Sequence, residues 1–147
     1  MIPVRFCRYE LNMGYGDHLD VPLMSTGDGK PFRSDLSMTV FLSDPSTYLG
    51  GALVFQSEYG QREVRGAAGS VVVYPSSTLH RVEPVTKGSR VVGITWVESL
   101  IRDPAHRKIV FDLANAIDDL ETRHGTTSEI GVLRQTHYNL IRTWAET

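Results

Sequence analysis

A jelly roll followed by a helical extension is the fold class that the sequence predicts, on three observations. Short runs rich in Val, Ile, Thr and aromatic residues fill residues 1–98, broken at close intervals by Gly, Pro, Asp and Ser. No helical pattern separates those runs, so they point to a sandwich or barrel and not to a parallel βαβ sheet; a jelly roll fits best. From residue 99 to 147 the apolar spacing changes to that of helices. The expected organisation is therefore a β core over 1–98 and a helical extension over 99–147, packed on that core.

Strands are predicted near 3–11, 16–23, 36–42, 51–55, 61–65, 70–74, 79–83 and 89–98. The breakers between them are "STGDGKP", "SDPSTYLGG", "EYG", "GAAG", "PSS" and "PVTKGS". The strand at 16–23 alternates, with Leu19, Val21 and Leu23 on a packing face and His18 and Asp20 on the other. The polar, Gly-bearing loop "MSTGDGKPFRS" follows Asp20. It reads either as a lid or as an ordinary surface loop, with Arg33 meeting a substrate acid or pairing with Asp35. In the last strand, "RVVGITWVE", Arg90, Val92, Ile94 and Trp96 share one face and the opposite face is also apolar, so both sides read as buried. The first helix starts at Asp103-Pro104, a cap followed by a proline suited to the first turn. Ile109, Val110, Leu113, Ile117 and Leu120 form its stripe, and Gly125 ends it. "TTSE" caps a second helix striped by Ile130, Leu133, His137, Leu140, Ile141 and Trp144. The stripes imply packing against a sheet face or each other; a homodimer contact through these helices is the sharper reading.

Composition excludes several classes. The chain of 147 residues is long enough for a real core, and 41% hydrophobic with 22% charged residues is ordinary for a soluble domain. A formal charge of −2 gives no basic footprint for nucleic acid. No apolar run is long enough to span a bilayer, and "MIPVRFCRYE" lacks the apolar core of a secretory signal. A lone cysteine, Cys7, allows no internal disulfide, and a reducing cytoplasm is the expected location.

His18 and Asp20, two apart on a strand, stand side by side. Imidazole with carboxylate suits iron, zinc or manganese, yet a wet face on a half-buried strand explains the pair equally well. Two ligands also leave a divalent ion short. Of the other histidines, His106, His124 and His137 lie in the helical part. His80, opening a strand after the Pro-Ser turn of "VVVYPSSTLHRVEPV", is the one able to face the pair. Two His and one Asp would make a facial triad with open positions, the arrangement of non-haem iron oxygenases. Arg90 needs a partner if its strand is buried. It snorkels, pairs with an acid of the chain, or grips a ligand carboxylate. The short "PVTKGS" turn suggests that the strands of His80 and Arg90 are adjacent. A serine hydrolase built on Ser76 or Ser77 with His80 is the weakest alternative, because no G-x-S-x-G elbow is present.

The stretches "RYELNMGYGDHLD", "RSDLSMTVFLSDPSTYLGGALVF", "AGSVVVYPSSTLHRVEPVTKGSRVVGITWVESLIRD" and "YNLIRTWAE" resemble the PKHD-type hydroxylases. These are iron(II)- and 2-oxoglutarate-dependent dioxygenases related to prolyl 4-hydroxylases. The resemblance runs from about Val4 to Ala145. It implies a double-stranded β-helix (jelly roll) core with a C-terminal helical extension. It implies iron(II) on His18, Asp20 and His80, and Arg90 on the distal carboxylate of 2-oxoglutarate. Tyr9 matches a tyrosine lining the cosubstrate pocket of the related prolyl hydroxylases. L-ascorbate is implied as a further cofactor. The implied reaction is hydroxylation of a substrate, unidentified as small molecule or protein, with oxidative decarboxylation of 2-oxoglutarate to succinate. A non-catalytic iron and 2-oxoglutarate sensor, and a cupin-like metalloenzyme without 2-oxoglutarate, are the alternatives. Family members usually carry a further segment before the "RY" strand. The chain is therefore expected to be a fragment or a short form, with an uncovered sheet edge or apolar face.

Overall fold

The computed structural model describes residues 2–27 and 29–146. The chain divides into two compact units, one ending at Glu98 and one beginning at Ser99. In chain order the first unit holds β1 (Arg5–Tyr9), β2 (Tyr15–His18), β3 (Leu23–Ser25), β4 (Pro31–Arg33), β5 (Leu36–Phe41) and β6 (Leu49–Gly50). It continues with β7 (Leu53–Ser57), β8 (Gly60–Val64), β9 (Val71–Pro75), β10 (His80–Val82), β11 (Val85–Lys87) and β12 (Arg90–Val97).

Two antiparallel four-stranded sheets form this unit, ordered β1-β12-β5-β9 and β2-β10-β7-β8. From β1 to β12 the main strands mostly change sheet at each connection, which is the jelly-roll path. Alternation decides what each face carries. On β5 the inward Ser37 and Thr39 are buried, and on β12 the inward Arg90, Val92 and Trp96 are buried. The opposite side of β1 and β9 presents Val4, Phe6, Val71 and Val73 to solvent, so an apolar sheet face is exposed. Ile2, Phe32 and Trp96 pack as a small cluster at one end of the first sheet.

Three expectations are corrected. The strand predicted over 16–23 stops at His18, because its partner β10 is only three residues long and their pairing ends at His80↔His18. Pro22, with no N–H, cannot extend a ladder. Leu19, Val21 and Leu23 therefore do not pack; they are 56%, 59% and 65% exposed. "MSTGDGKPFRS" is not an open loop. β3 and β4 pair from Leu23↔Arg33 to Ser25↔Pro31, Thr26 N–H and Oγ1 both donate to the Lys30 carbonyl at 2.9 Å, and Phe32 anchors the ribbon in the core. The strands of His80 and Arg90 are not adjacent. β11 pairs with β6 between them, so β10 and β12 belong to opposite sheets. Gly50 makes this crossing possible: at φ 72° its Cα lies so close to β11 that a Cβ would stand 2.2 Å from the Pro84 carbonyl oxygen.

The second unit is a pair of helices, α1 (Pro104–His124) and α2 (Ser128–Trp144). Asp103 caps α1, its Oδ1 accepting from the N–H groups of Ala105 and His106 at 2.7 and 3.1 Å. Gly125 at φ 70° closes it with its N–H on the Glu121 carbonyl. Thr127 caps α2. Ile117 and Ile130 are buried, Arg134 reaches Glu121 at 2.6 Å, and Ile101 bridges Ala145. Ile109 and Leu120 of the predicted stripe are instead exposed. No helix among the described residues is long and apolar enough to cross a membrane.

Candidate metal and anion site

His18 ends β2 and His80 begins β10, and the two are direct register partners. Their rings stand 4.2 Å apart. The Nδ1 of His18 lies 2.8 Å from the Gly16 carbonyl, and that of His80 lies 2.8 Å from the Thr78 carbonyl. A carbonyl only accepts, so each ring donates through Nδ1 and keeps its lone pair on Nε2, the tautomer a metal ligand needs. Asp20, two residues beyond β2, brings Oδ2 to 3.9 Å from His80 Nε2. Ser37 Oγ donates to that carboxylate and lies 2.8 Å from Ser76 Oγ. One ligand atom from each of His18, Asp20 and His80 falls within 4.8 Å of the others, the one such cluster among the described residues. His106, by contrast, stacks on Trp144 with ring centroids 4.1 Å apart. The donor set, two imidazoles each with Nδ1 on a backbone carbonyl and one carboxylate whose Oδ2 accepts from Ser37, suits iron(II) with open positions.

Sequence reasoning passed over the support for this cluster. Tyr74 Oη lies 3.3 Å from His80 Nε2. Burial, then the nearby Asp20 charge, pushes its phenol well up, so the hydroxyl keeps its proton. The signal was present in "LSMTVF": Ser37 and Thr39 are polar residues at the inward positions of a buried strand. Ser76 is occupied by Ser37 and makes no nucleophile pair with His80.

Arg90 begins β12 on the facing sheet and is 1% exposed. Its guanidinium lies 5.2 Å from the Tyr9 ring and 5.7 Å from the Phe41 ring, Tyr9 being its register partner on β1. Nε and Nη1 have no hydrogen-bond partner among the described residues. Burial pulls the Arg90 pKa down, opposed by the neighbouring Tyr48 and Tyr9. Burial, and after it Cys7, raises that of Tyr9, which Arg90 counteracts. Tyr48 is itself clamped: Arg65 sits 4.7 Å over its ring and donates to its carbonyl. Arg33 is taken by Asp35 at 2.9 Å and by Glu98.

The triad, Tyr9, Tyr74 and Arg90 line one cavity of about 520 Å³ between the sheets. That is a normal volume for a small-molecule site. A buried cation with two guanidinium nitrogens unpartnered among the described residues, facing a metal-ligand cluster across such a space, is complementary to a chelating anion with a second, distal negative charge.

Comparison with known proteins agrees with this chemistry. Residues 4–98 match the family model of the 2OG-Fe(II) oxygenase superfamily, and residues 105–146 match that of the PKHD-type hydroxylase C-terminal domain. A PKHD-type hydroxylase of Synechococcus elongatus is 50% identical over 141 residues, covering 96% of this chain and 63% of the relative. The PKHD-type hydroxylase YbiX of Escherichia coli is 46% identical over the same shares. The chain thus spans about 63% of the length of these curated relatives. Among solved structures, a Pseudomonas putida prolyl-4-hydroxylase aligns with a TM-score of 0.51 at 24% identity, over 65% of this chain and 50% of the other. A 2OG-Fe(II) family oxidoreductase from Burkholderia pseudomallei aligns at 0.51 and 20%, over 63% and 43%. Both share the fold.

Proposed function

Because the chain belongs to the 2OG-Fe(II) oxygenase superfamily, and to its PKHD-type members, we propose that it is an iron(II)- and 2-oxoglutarate-dependent hydroxylase. The observation that carries this reading is the pairing of a three-ligand cluster with a buried Arg90 whose Nε and Nη1 have no partner among the described residues, across one cavity. His18, Asp20 and His80 would hold iron(II). Arg90 would hold the distal carboxylate of 2-oxoglutarate with its planar fork, and Tyr9, against the guanidinium face, would keep that fork oriented. Iron(II) with 2-oxoglutarate supplies the activation of dioxygen, converting 2-oxoglutarate to succinate and carbon dioxide as a substrate C–H bond is hydroxylated.

The rest is the work of this chain's own side chains. The Gly16 and Thr78 carbonyls hold the Nδ1 protons and so aim the Nε2 lone pairs. Ser37 fixes one oxygen of Asp20. Tyr74 keeps a proton on Oη beside the ligands, available to donate within the cavity. Phe41 and Tyr9 exclude water from Arg90, which strengthens its interaction with an anion. L-ascorbate would serve as reductant only.

The test is iron(II) and 2-oxoglutarate binding by calorimetry under nitrogen in wild type, His18→Ala and Arg90→Ala. His18→Ala should lose iron, and Arg90→Ala mainly 2-oxoglutarate. Unchanged binding in both variants would sink the assignment. Succinate release with candidate substrates then separates an enzyme from a sensor.

A further inference from the structure

The cavity has a second arginine that the proposed chemistry leaves unused. Arg5 lines the cavity on the same face of β1 as Tyr9. Its guanidinium carbon lies 5.3 Å from the ring centroid of Trp96. No acidic side chain pairs with it among the described residues. The acids at this end of the sheet are otherwise engaged: Asp35 and Glu98 with Arg33, and Asp20 with Ser37. Trp96 adds a second donor in want of an acceptor. It is 7% exposed, it lines the same cavity, and its Nε1 makes no hydrogen bond among the described residues. A buried N–H without an acceptor is costly.

The register separates this pair of donors from Arg90. Tyr9 opposes Arg90 and Arg5 opposes Ile94 on the same ladder, which puts about 13 Å of strand between the two arginines. Ser37, which holds Asp20, opposes Trp96. The triad is therefore anchored at the Arg5 end of the sheet. Arg90 is sealed, whereas Arg5 is exposed and shares the cavity lining with the exposed Leu19, Val21 and Leu23. A cation stacked on an indole face leaves its N–H edge free for a carboxylate, and the apolar rim offers a surface to the rest of the ligand.

Resting on the oxygenase reading above, we infer that the substrate is a small organic acid with an apolar body, its carboxylate taken by Arg5. Arg5 is then a specificity residue distinct from the cosubstrate anchor.

Trp96 reports on this end of the cavity once Trp144, the other of the two tryptophans, is removed. In Trp144→Phe protein loaded with Mn(II) and saturating 2-oxoglutarate, the probes are 3-phenylpropionate and 3-phenylpropanamide, read by Trp96 emission. The acid should bind at least about tenfold tighter than the amide. Arg5→Gln in the same background should bring the two together, while 2-oxoglutarate affinity by calorimetry stays within about twofold of the parent. Arg5→Lys should keep part of the preference as a point charge. Equal binding of acid and amide to the parent, or a preference surviving in Arg5→Gln, overturns the inference. So does a loss of 2-oxoglutarate affinity in Arg5→Gln as large as the loss of acid binding. Absence of metal-dependent 2-oxoglutarate binding in the wild-type chain refutes the oxygenase reading itself. No acid preference in the parent, with that binding intact, refutes this inference alone.

Discussion

Replacing Arg90 by methionine should stabilise the ligand-free protein and weaken it toward 2-oxoglutarate. The side chain is 1% exposed with two unpartnered guanidinium nitrogens. Even buried charges that are paired can be replaced by apolar residues of similar volume with a gain of up to about 1–4 kcal/mol. The lost contacts with the Tyr9 and Phe41 rings offset about 1 kcal/mol of that. The net gain is about 0–3 kcal/mol in the ligand-free state, centred on about 1.5 kcal/mol. Binding changes the order. Two charge-assisted hydrogen bonds to a carboxylate are worth at least about 3 kcal/mol together, roughly two orders of magnitude in Kd. At a 2-oxoglutarate concentration of about 100 times the wild-type Kd, ligand stabilises wild type by about 2.7 kcal/mol and the variant by only a few tenths. Thermal melts followed by circular dichroism, with Mn(II) present throughout, should therefore cross. Arg90→Met should melt higher without 2-oxoglutarate and lower with it. A variant that already melts lower without 2-oxoglutarate would show that Arg90 has a structural partner. The absence of crossing would show that 2-oxoglutarate does not engage it.

Ser37→Ala removes the donor to Asp20 and the partner of Ser76; Mn(II) affinity by electron paramagnetic resonance should fall about 10–100-fold with the fold retained, and unchanged affinity would remove Ser37 from the site. Gly50→Ala places a Cβ against the Pro84 carbonyl at a positive φ, so urea unfolding should show a loss of more than about 2 kcal/mol. The cap of α1 predicts a pH effect. Hydrogen bonds from the His106 and Ala105 N–H groups hold the Asp103 carboxyl below the usual aspartate range. A depressed folded pKa contributes stability that is present above the unfolded value and lost as pH falls through the folded one. Ellipticity at 222 nm should fall below about pH 4 in wild type. Asp103→Asn, which caps without titrating, should lose less over the same range, and superimposable acid profiles would contradict the cap assignment.

Much of the fold was legible because it rests on local patterns. Alternation located the long strands β5, β9 and β12 to within about two residues, and Asp103, Pro104 and Gly125 marked α1 through backbone chemistry that neighbours alone decide. The ribbons β3-β4 and β6-β11 escaped notice because two or three residues carry no measurable period. Within the site, His18, Asp20, His80 and Arg90 were nameable as candidates from residue type and order. Leu19, Val21 and Leu23 were misplaced for a physical reason. Alternation describes a strand with a neighbour, and here the neighbour ends at His80.

By itself, then, the sequence determined which side chains were available: two imidazoles, a carboxylate and an arginine whose types suit a metal and an anion. It could not say whether they meet. His18 and His80 are 62 positions apart in the chain and become register partners only because β2 and β10 pair. Arg90 was expected beside His80, and the structure puts it on the opposite sheet. That placement is what makes a cavity of the two, since groups on adjacent strands of one sheet share a surface, whereas groups on facing sheets enclose a volume. Pairing, crossing and the desolvation of Arg90 depend on residues distant in sequence, and only the tertiary structure decides them.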